Sequence, residues 1–206
     1  MDTTTLAAFL VVDLLLVFTP GADWAYAISA GLRGRSVAPA TIGLVAGHAA
    51  YALGAVAGLA VIVAGSPAVL TALTVAGAVY LLWLGWGVLR QPAVPAVAAE
   101  GETEASGMQT MLRGFGISGL NPKALLLYFS LFPQFIHPGA GWPVAAQTGL
   151  LSMVHLTACA VVYLAVGVLA RTVLKTRPSA ARTVTRISGA MMIVIGALLL
   201  VERLAG

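Results

Sequence analysis

Two oppositely charged side chains inside apolar stretches are the first candidates for chemistry. Asp23 follows Pro20 by three residues, and Lys123 directly follows Asn121-Pro122. An ionised side chain in the middle of a membrane helix costs about 2.5 to 3.5 kcal/mol on insertion scales, so it usually faces a cavity or an opposite charge. The two residues could form a buried salt bridge between chain halves. Alternatively, they could hold the ammonium and carboxylate groups of a zwitterion such as an amino acid.

Asp13, His48 and His155 are candidates for proton coupling. Asp13 lies ten residues before Asp23, which is about 15 Å along an unbroken helix, so the two acids should not share a site unless the helix folds back. A buried carboxyl at Asp13 could bind and release a proton, or it could be an interfacial group wetted by an outer vestibule. The two histidines could relay protons near neutral pH, or they could be hydrogen-bonded packing residues.

Metal, cofactor and enzyme chemistry are not expected from the motifs. The candidate ligands Asp13, Asp23, His48 and His155 are scattered, and the sequence has no HExxH motif and no histidine pair at i, i+4. Cys159 is the only cysteine, which excludes an internal disulfide or a CxxC pair. We also find no serine elbow and no pair of catalytic aspartates. We therefore predict a protein without metal or cofactor that is not an enzyme.

Two proline-containing segments predict where helices break. Thr19 and Asn121 are residue types that cap helix N-termini, and proline is favoured at the first helical position. Each segment therefore predicts a new half-helix whose positive N-terminus could bind a carboxylate, although a simple proline kink is the alternative. Tyr26 and Tyr128 each follow one of the two prolines by six residues. The predicted substrate-binding residues are Thr19, Pro20, Gly21, Asp23, Tyr26, Asn121, Pro122, Lys123 and Tyr128.

The composition predicts an integral membrane protein. Of 206 residues, 60% are hydrophobic and 9% are charged, whereas a soluble domain has about a quarter charged residues. The net charge of +4 does not indicate nucleic acid binding, because the basic residues lie in short gaps between apolar runs. Six runs have the length of about 20 residues that crosses a bilayer. They are Leu6–Ala30, Val37–Gly65, Pro67–Leu89, Leu112–Ile136, Pro143–Ala170 and Ile187–Arg203.

A polar segment, residues 91–111, divides the chain. Its prolines and glutamates are typical of a flexible acidic linker, so we predict one half over residues 1–90 and another over residues 112–206. Basic residues occur in the odd-numbered connections, and the even-numbered ones, Ser66-Pro67 and His137–Trp142, contain no Lys or Arg. The positive-inside rule makes the linker cytoplasmic and places both termini outside a bacterial inner membrane.

The two halves share landmarks in the same order. Thr19-Pro20 corresponds to Asn121-Pro122, Gly43-Leu44 to Gly149-Leu150, and Ala76-Gly77-Ala78 to Ser188-Gly189-Ala190. Because each half has three helices, the second copy must enter the membrane in the opposite sense. The predicted fold is all-α, with six transmembrane helices as two inverted three-helix repeats. Its first and fourth helices are broken at Pro20 and Pro122.

The second apolar run carries four glycines on one helical face: Gly43, Gly47, Gly54 and Gly58. Such a face lets another helix approach closely. The approaching helix could belong to the same chain or to a second copy in a homodimer, and we favour packing within the chain.

Four motifs resemble those of the lysine exporter (LysE/RhtB) family. They are Phe18-Thr19-Pro20-Gly21-Ala22-Asp23, Gly77-Ala78-Val79-Tyr80-Leu81, Asn121-Pro122-Lys123-Ala124 and Phe132-Pro133-Gln134-Phe135. Ala22 departs from the family, which typically has Pro-Gly-Pro here, and this predicts a milder break. The resemblance implies a secondary exporter of amino acids or their derivatives that exchanges its substrate for protons.

The hypothesis from the sequence is amino-acid export by alternating access, with protons as the coupling ion and lipid as the surrounding solvent. One alternative is a divalent metal-ion exporter of similar architecture. Another is a membrane scaffold that transports nothing, against which the charged residues within apolar runs argue.

Overall fold

The computed structural model describes residues 1–32, 36–65, 67–90, 106–121, 123–124, 127–139 and 141–172, with scattered helical positions between 183 and 201. Most of these residues are helical, and none of them lies in a strand. The helices are α1 (Thr3–Val17), α2 (Ala22–Leu32), α3 (Val37–Gly65), α4 (Pro67–Arg90), α5 (Gly107–Gly119) and α6 (Val144–Thr172). A π-helical turn (Leu127–Leu131) and a 3-10 turn (Phe132–Phe135) lie between α5 and α6.

Two of the described helices are long and apolar enough to cross a membrane, over Val37–Gly58 and Val144–Thr172. A third span results if α1 and α2 count as one broken crossing, since they are bent by 60° at a short break. Large apolar side chains point outward, including Leu53, Trp83 and Leu120, which suits a lipid surrounding. The expectation of an all-helical membrane protein is confirmed. The arrangement of six helices as two repeats stays a prediction.

Helix boundaries follow local capping. Asp2 precedes α1 and accepts hydrogen bonds from the Thr5 amide and the Thr5 hydroxyl, at 2.7 and 2.8 Å. These bonds favour the ionised carboxyl and lower the pKa of Asp2. Ser106 and Gln109 form a capping box that starts α5 at Gly107. Residues 107–111, which the composition assigned to the linker, are therefore helical. The remainder of that segment, residues 91–105, lies outside the described residues.

Glycines bring α3 and α5 into close contact. A Cβ added to Gly43 would overlap the Met111 carbonyl oxygen, and one added to Gly47 would lie 2.7 Å from the Ser118 Cβ. No described atom comes within 4 Å of a Cβ added to Gly54 or Gly58. Half of the predicted glycine face thus packs within the chain, as we favoured. The other half meets none of the described residues, so a homodimer there stays an open expectation.

Two apolar clusters enclose a polar centre. One contains Phe9, Tyr128, Phe132 and Leu151, and within it the Phe9 and Phe132 rings pack edge to face at 5.1 Å. The other contains Val17, Trp24, Leu44, Cys159 and Tyr163. Buried polar side chains lie between them on α1, α2, α3 and α6: Asp13, Asp23, His48 and His155. Helix packing therefore gathers the candidate residues in the interior.

Candidate functional site

Helix α1 ends at Val17 inside the protein. Its last carbonyl groups need hydrogen-bond donors from the protein itself, because lipid chains offer none. The Phe18 amide donates to Leu14 O at 2.8 Å, the Thr19 hydroxyl to Leu15 O at 2.7 Å, and Trp24 Nε1 to Val17 O at 2.8 Å. The prediction that Thr19 caps the N-terminus of the following half-helix is wrong. Its hydroxyl points back and terminates α1 instead.

Pro20 and Gly21 lie at the bend itself. Pro20 is buried, and the Gly21 carbonyl accepts the first hydrogen bond of α2, from the Ala25 amide at 3.0 Å. No described atom lies within 4 Å of a Cβ added to Gly21.

Lys123 completes the end of α1. Its ammonium donates to Leu16 O at 2.9 Å and to Thr19 O at 2.8 Å. The negative C-terminal end of a helix dipole favours a cation, so the end of α1 stabilises the Lys123 ammonium. In the described part of the chain no carboxylate oxygen lies within 4.0 Å of its Nζ. The direct salt bridge between Lys123 and Asp23, one of the two alternatives from the sequence, is therefore not formed in this conformation.

Asn121 connects the two charged residues. Its Oδ1 accepts from the Lys123 amide at 3.0 Å, which is the N-cap contact predicted for this residue type. Its Nδ2 donates to Asp23 Oδ2 at 3.1 Å. The next residue, Pro122, lies outside the described residues, so the break at Pro122 stays a prediction.

Asp23 is buried, with 2% of its surface exposed. Its Oδ2 atom accepts from Asn121 and from the Tyr163 hydroxyl at 3.0 Å, and it lies 3.2 Å from His48 Nε2. Its Oδ1 atom has no hydrogen-bond partner among the described residues. One carboxylate oxygen is thus fixed by three side chains while the other is left to accept a donor.

A continuous chain of contacts joins Asp23 to Asp13. His48 Nδ1 lies 3.2 Å from His155 Nε2, and His155 Nδ1 lies 2.6 Å from Asp13 Oδ1. The expectation that the two acids lie far apart assumed an unbroken helix, and the bend together with the two imidazoles links them. Asp13 is fully buried, so the alternative of a wetted interfacial acid is wrong for this conformation. Proton coupling by these residues stays a prediction.

The two tyrosines predicted at the site lie in different places. The Tyr26 hydroxyl donates to Thr110 O at 2.6 Å and ties α2 to α5. Tyr128 is fully buried in the π-helical turn, with its ring 5.5 Å from the His155 ring. The Tyr128 hydroxyl has no hydrogen-bond partner in the described residues. Tyr128 thus borders the polar centre.

Comparison with known proteins identifies the family of the chain. The family described as LysE type translocator matches residues 14–203. The chain belongs to the LysE-type translocator family. This translocator is 31% identical over 156 residues to an uncharacterised membrane protein of Vibrio cholerae, covering 74% of the chain and 76% of that relative.

Two further relatives of the translocator carry functional names. A leucine efflux protein of Klebsiella pneumoniae is 30% identical over 67% of the chain and 66% of its own length. A threonine efflux protein of Escherichia coli is 28% identical over 70% of the chain and 71% of its own length. No solved structure matches the translocator.

Sequence reasoning missed two residues of the translocator's polar centre, Tyr163 and Cys159. Tyr163 contacts Asp23 and lies 3.3 Å from His48 Nε2. Cys159 Sγ lies 3.4 Å from His155 Nε2. The available signal was the spacing of four residues from His155 to Cys159 and again to Tyr163, which places all three on one face of α6.

The metal-binding potential also differs from the expectation. His48, His155 and Cys159 each offer one donor atom, and these three atoms lie within 4.8 Å of one another. The description of the candidate ligands as scattered was therefore wrong, because it measured separation along the chain. Helix packing brings α3 and α6 together at these positions.

Proposed function

We propose that this translocator exports amino acids or amino-acid derivatives across the bacterial inner membrane, in exchange for protons and by alternating access. Two relatives are named for the efflux of leucine and of threonine. Those amino acids share an ammonium group and a carboxylate and differ in their uncharged side chains. A site for both must therefore recognise the shared charged groups, and the charged residues beside the α1–α2 bend are suited to that.

The observation that carries the proposal is incomplete hydrogen bonding at two opposite charges. Asp23 Oδ1 has no partner among the described residues, so it is free to accept from a substrate ammonium. A lysine ammonium has three donors, and two of those of Lys123 bind carbonyls at the end of α1. The third would bind the substrate carboxylate. Asn121, bonded to both residues, would fix their separation.

The bend between α1 and α2 supports alternating access. The pair changes direction by 60° within a break of at most four residues. Discontinuous helices in transporters place substrate sites near the bilayer midplane, where two repeats move against each other. We propose Thr19, Pro20 and Gly21, with Asn121, Pro122 and the two tyrosines Tyr26 and Tyr128, as the residues that shape the site. Two of these, Pro20 and Gly21, would act as the hinge.

The chain from Asp13 through His155 and His48 to Asp23 supports proton exchange. It reaches from Asp13 on α1 to Asp23, the carboxylate proposed to bind the substrate ammonium, through three contacts of 2.6 to 3.2 Å. A proton arriving at Asp23 would neutralise the group that holds the substrate ammonium. Substrate and proton would then compete at Asp23, which is the requirement for an exchanger.

Efflux from preloaded proteoliposomes tests the substrate site. Leucine and threonine are the first substrates to load. Asp23→Asn and Lys123→Ala are each expected to reduce efflux by at least about tenfold, because each removes a charge that would bind the substrate. Asp2→Asn and Arg113→Ala, which alter exposed charges, are the matched controls. Wild-type rates in both site variants would refute the site.

Asp13→Asn tests coupling separately. We expect this variant to lose acceleration of efflux by an imposed pH gradient while it retains exchange of labelled for unlabelled substrate. Equal acceleration in Asp13→Asn and in the wild type would refute proton coupling through Asp13, without affecting the substrate site.

A further inference from the structure

The two histidines of the polar centre bring two imidazole nitrogens close together, and this contact requires a proton or a metal cation between them. His155 Nδ1 lies 2.6 Å from Asp13 Oδ1, and His48 Nε2 lies 3.2 Å from Asp23 Oδ2. Each of these nitrogens must carry a hydrogen to bond a carboxylate. In neutral imidazoles the remaining nitrogens, His48 Nδ1 and His155 Nε2, then both present lone pairs, and they lie only 3.2 Å apart.

A third donor atom lies at the same point. Cys159 Sγ is 3.4 Å from His155 Nε2, and the three donor atoms lie within 4.8 Å of one another. A tetrahedral Zn²⁺ with bonds of about 2.0–2.1 Å to nitrogen and 2.3 Å to sulfur separates two nitrogens by about 3.4 Å, and nitrogen from sulfur by about 3.6 Å. The contacts of His155 Nε2 with His48 Nδ1 and with Cys159 Sγ would lengthen by about 0.2 Å to reach those values. The third pair, His48 and Cys159, lies within 4.8 Å and would close to about 3.6 Å.

From this geometry we propose that His48, His155 and Cys159 bind a divalent ion of borderline softness, of which Zn²⁺ is the type. Two imidazoles and a thiolate suit Zn²⁺ or Co²⁺, whereas Mg²⁺ and Ca²⁺ prefer oxygen ligands. Three protein ligands leave a fourth position for water or another small ligand. The ion would occupy His48 Nδ1 and His155 Nε2, which also link the proposed proton chain, so bound metal would block proton transfer along that chain. Binding of the ion itself needs no amino acid, so it can be tested whether or not the protein exports one.

The surroundings supply the remaining features of such a site. Metal-binding histidines usually donate their second N–H to a carboxylate, which orients the ring, and Asp13 and Asp23 are placed to accept from His155 and His48. The charges also balance. The ion and the Lys123 ammonium carry three positive charges, and the thiolate and two carboxylates carry three negative ones. Burial of the ion therefore leaves no net charge in the interior.

Titration of the purified full-length protein with Co²⁺ tests the site. Bound Co²⁺ is expected at one ion per chain, with a thiolate-to-metal absorption band in the near ultraviolet and the visible bands of a tetrahedral ion. Zn²⁺ should displace it and remove both. Because the sequence contains one cysteine, the near-ultraviolet band can arise only from Cys159. A folded wild-type protein that shows no saturable binding with this band overturns the proposal.

Three variants separate the site from other sources of binding. Cys159→Ser should lose the near-ultraviolet band, and His155→Gln should weaken Co²⁺ binding by at least tenfold. His137→Gln, which changes the exposed third histidine, should bind as the wild type does. The melting temperature of each metal-free variant shows whether it is folded. If a folded His155→Gln protein binds Co²⁺ like the wild type, or if His137→Gln loses binding, the assignment is wrong.

Discussion

At the scale of single residues, the two oxygens of Asp23 have opposite surroundings. One is held by Asn121, His48 and Tyr163, and the other has no partner among the described residues. A buried acceptor without a donor is costly, which favours a state in which a ligand provides one. The three bonds on Oδ2 keep the carboxylate oriented for that ligand. Tyr163 is thus a positioning residue in the proposed transport.

Tyr163→Phe should slow export by about tenfold. The change removes a hydrogen bond to a charged group, worth about 1.5 to 3 kcal/mol, and preserves the ring. The expected effect is on the affinity for substrate, measured as the internal concentration that gives half-maximal efflux. Tyr51→Phe is the matched control, because that hydroxyl donates to a backbone carbonyl, Gly119 O, at 2.8 Å. Equal effects of the two variants would argue against positioning of Asp23.

At the scale of helices, the apolar runs in the sequence predicted most boundaries closely. The run Val37–Gly65 coincides with α3, and α4 and α6 begin and end within two residues of their predicted runs. Long apolar segments have few other ways to satisfy their backbone in lipid. The start of α5 was missed because composition outweighed the Ser106-x-x-Gln109 capping pattern, which is visible in the sequence.

The convergence of the site residues could not be predicted in the same way. Which residues of α3 and α6 meet depends on the rotation and crossing of the helices. The approach of Asp13 to Asp23 depends on the bend as well. Separation along the sequence therefore misjudged the distances between the candidate residues, and their roles stay predictions. The helical spacing from His155 to Tyr163 was a geometric signal already visible in the sequence.

Gly43→Ala tests the contact between α3 and α5. The new methyl group would overlap the Met111 carbonyl oxygen, which belongs to a helix backbone that cannot move alone. We expect stability to fall by about 1 to 3 kcal/mol, the usual cost of overpacking, measured by thermal unfolding in detergent. Gly54→Ala, on the same face but with no described atom within 4 Å of the added Cβ, should be neutral or slightly stabilising. Similar losses in both would contradict the contact.

At the scale of the whole molecule, the meeting of His48 with His155 fits the proposed inverted repeat. These residues are 107 positions apart, close to the 106 positions that separate the landmarks Gly43 and Gly149. Equivalent residues of an inverted repeat can meet only near its symmetry axis. The polar centre would then lie on the axis, where both halves contribute to one site. Asp13 contacts His155 and Asp23 contacts His48, but both acids belong to the first half of the chain. The symmetry would therefore be limited to the histidines.

The predicted orientation can be tested with single cysteines. Thr3→Cys should react with a membrane-impermeant maleimide in intact spheroplasts, because both termini are expected to face outward. Met108→Cys, at the end of the predicted cytoplasmic linker, should react only after permeabilisation. Both positions are exposed, and the native Cys159 is fully buried. The wild-type protein therefore measures the background labelling by the maleimide. The reverse labelling pattern would overturn the orientation.

The lengths of α3 and α6 have a consequence for the choice of lipid. Each helix has 29 residues and is therefore about 43 Å long at 1.5 Å per residue, against a hydrocarbon layer of roughly 30 Å. Such helices must tilt or extend into the headgroup layer, and the cost of hydrophobic mismatch depends on bilayer thickness. Reconstitution in phosphatidylcholines of increasing acyl-chain length should therefore change the tilt of both helices together, and with it the transport rate.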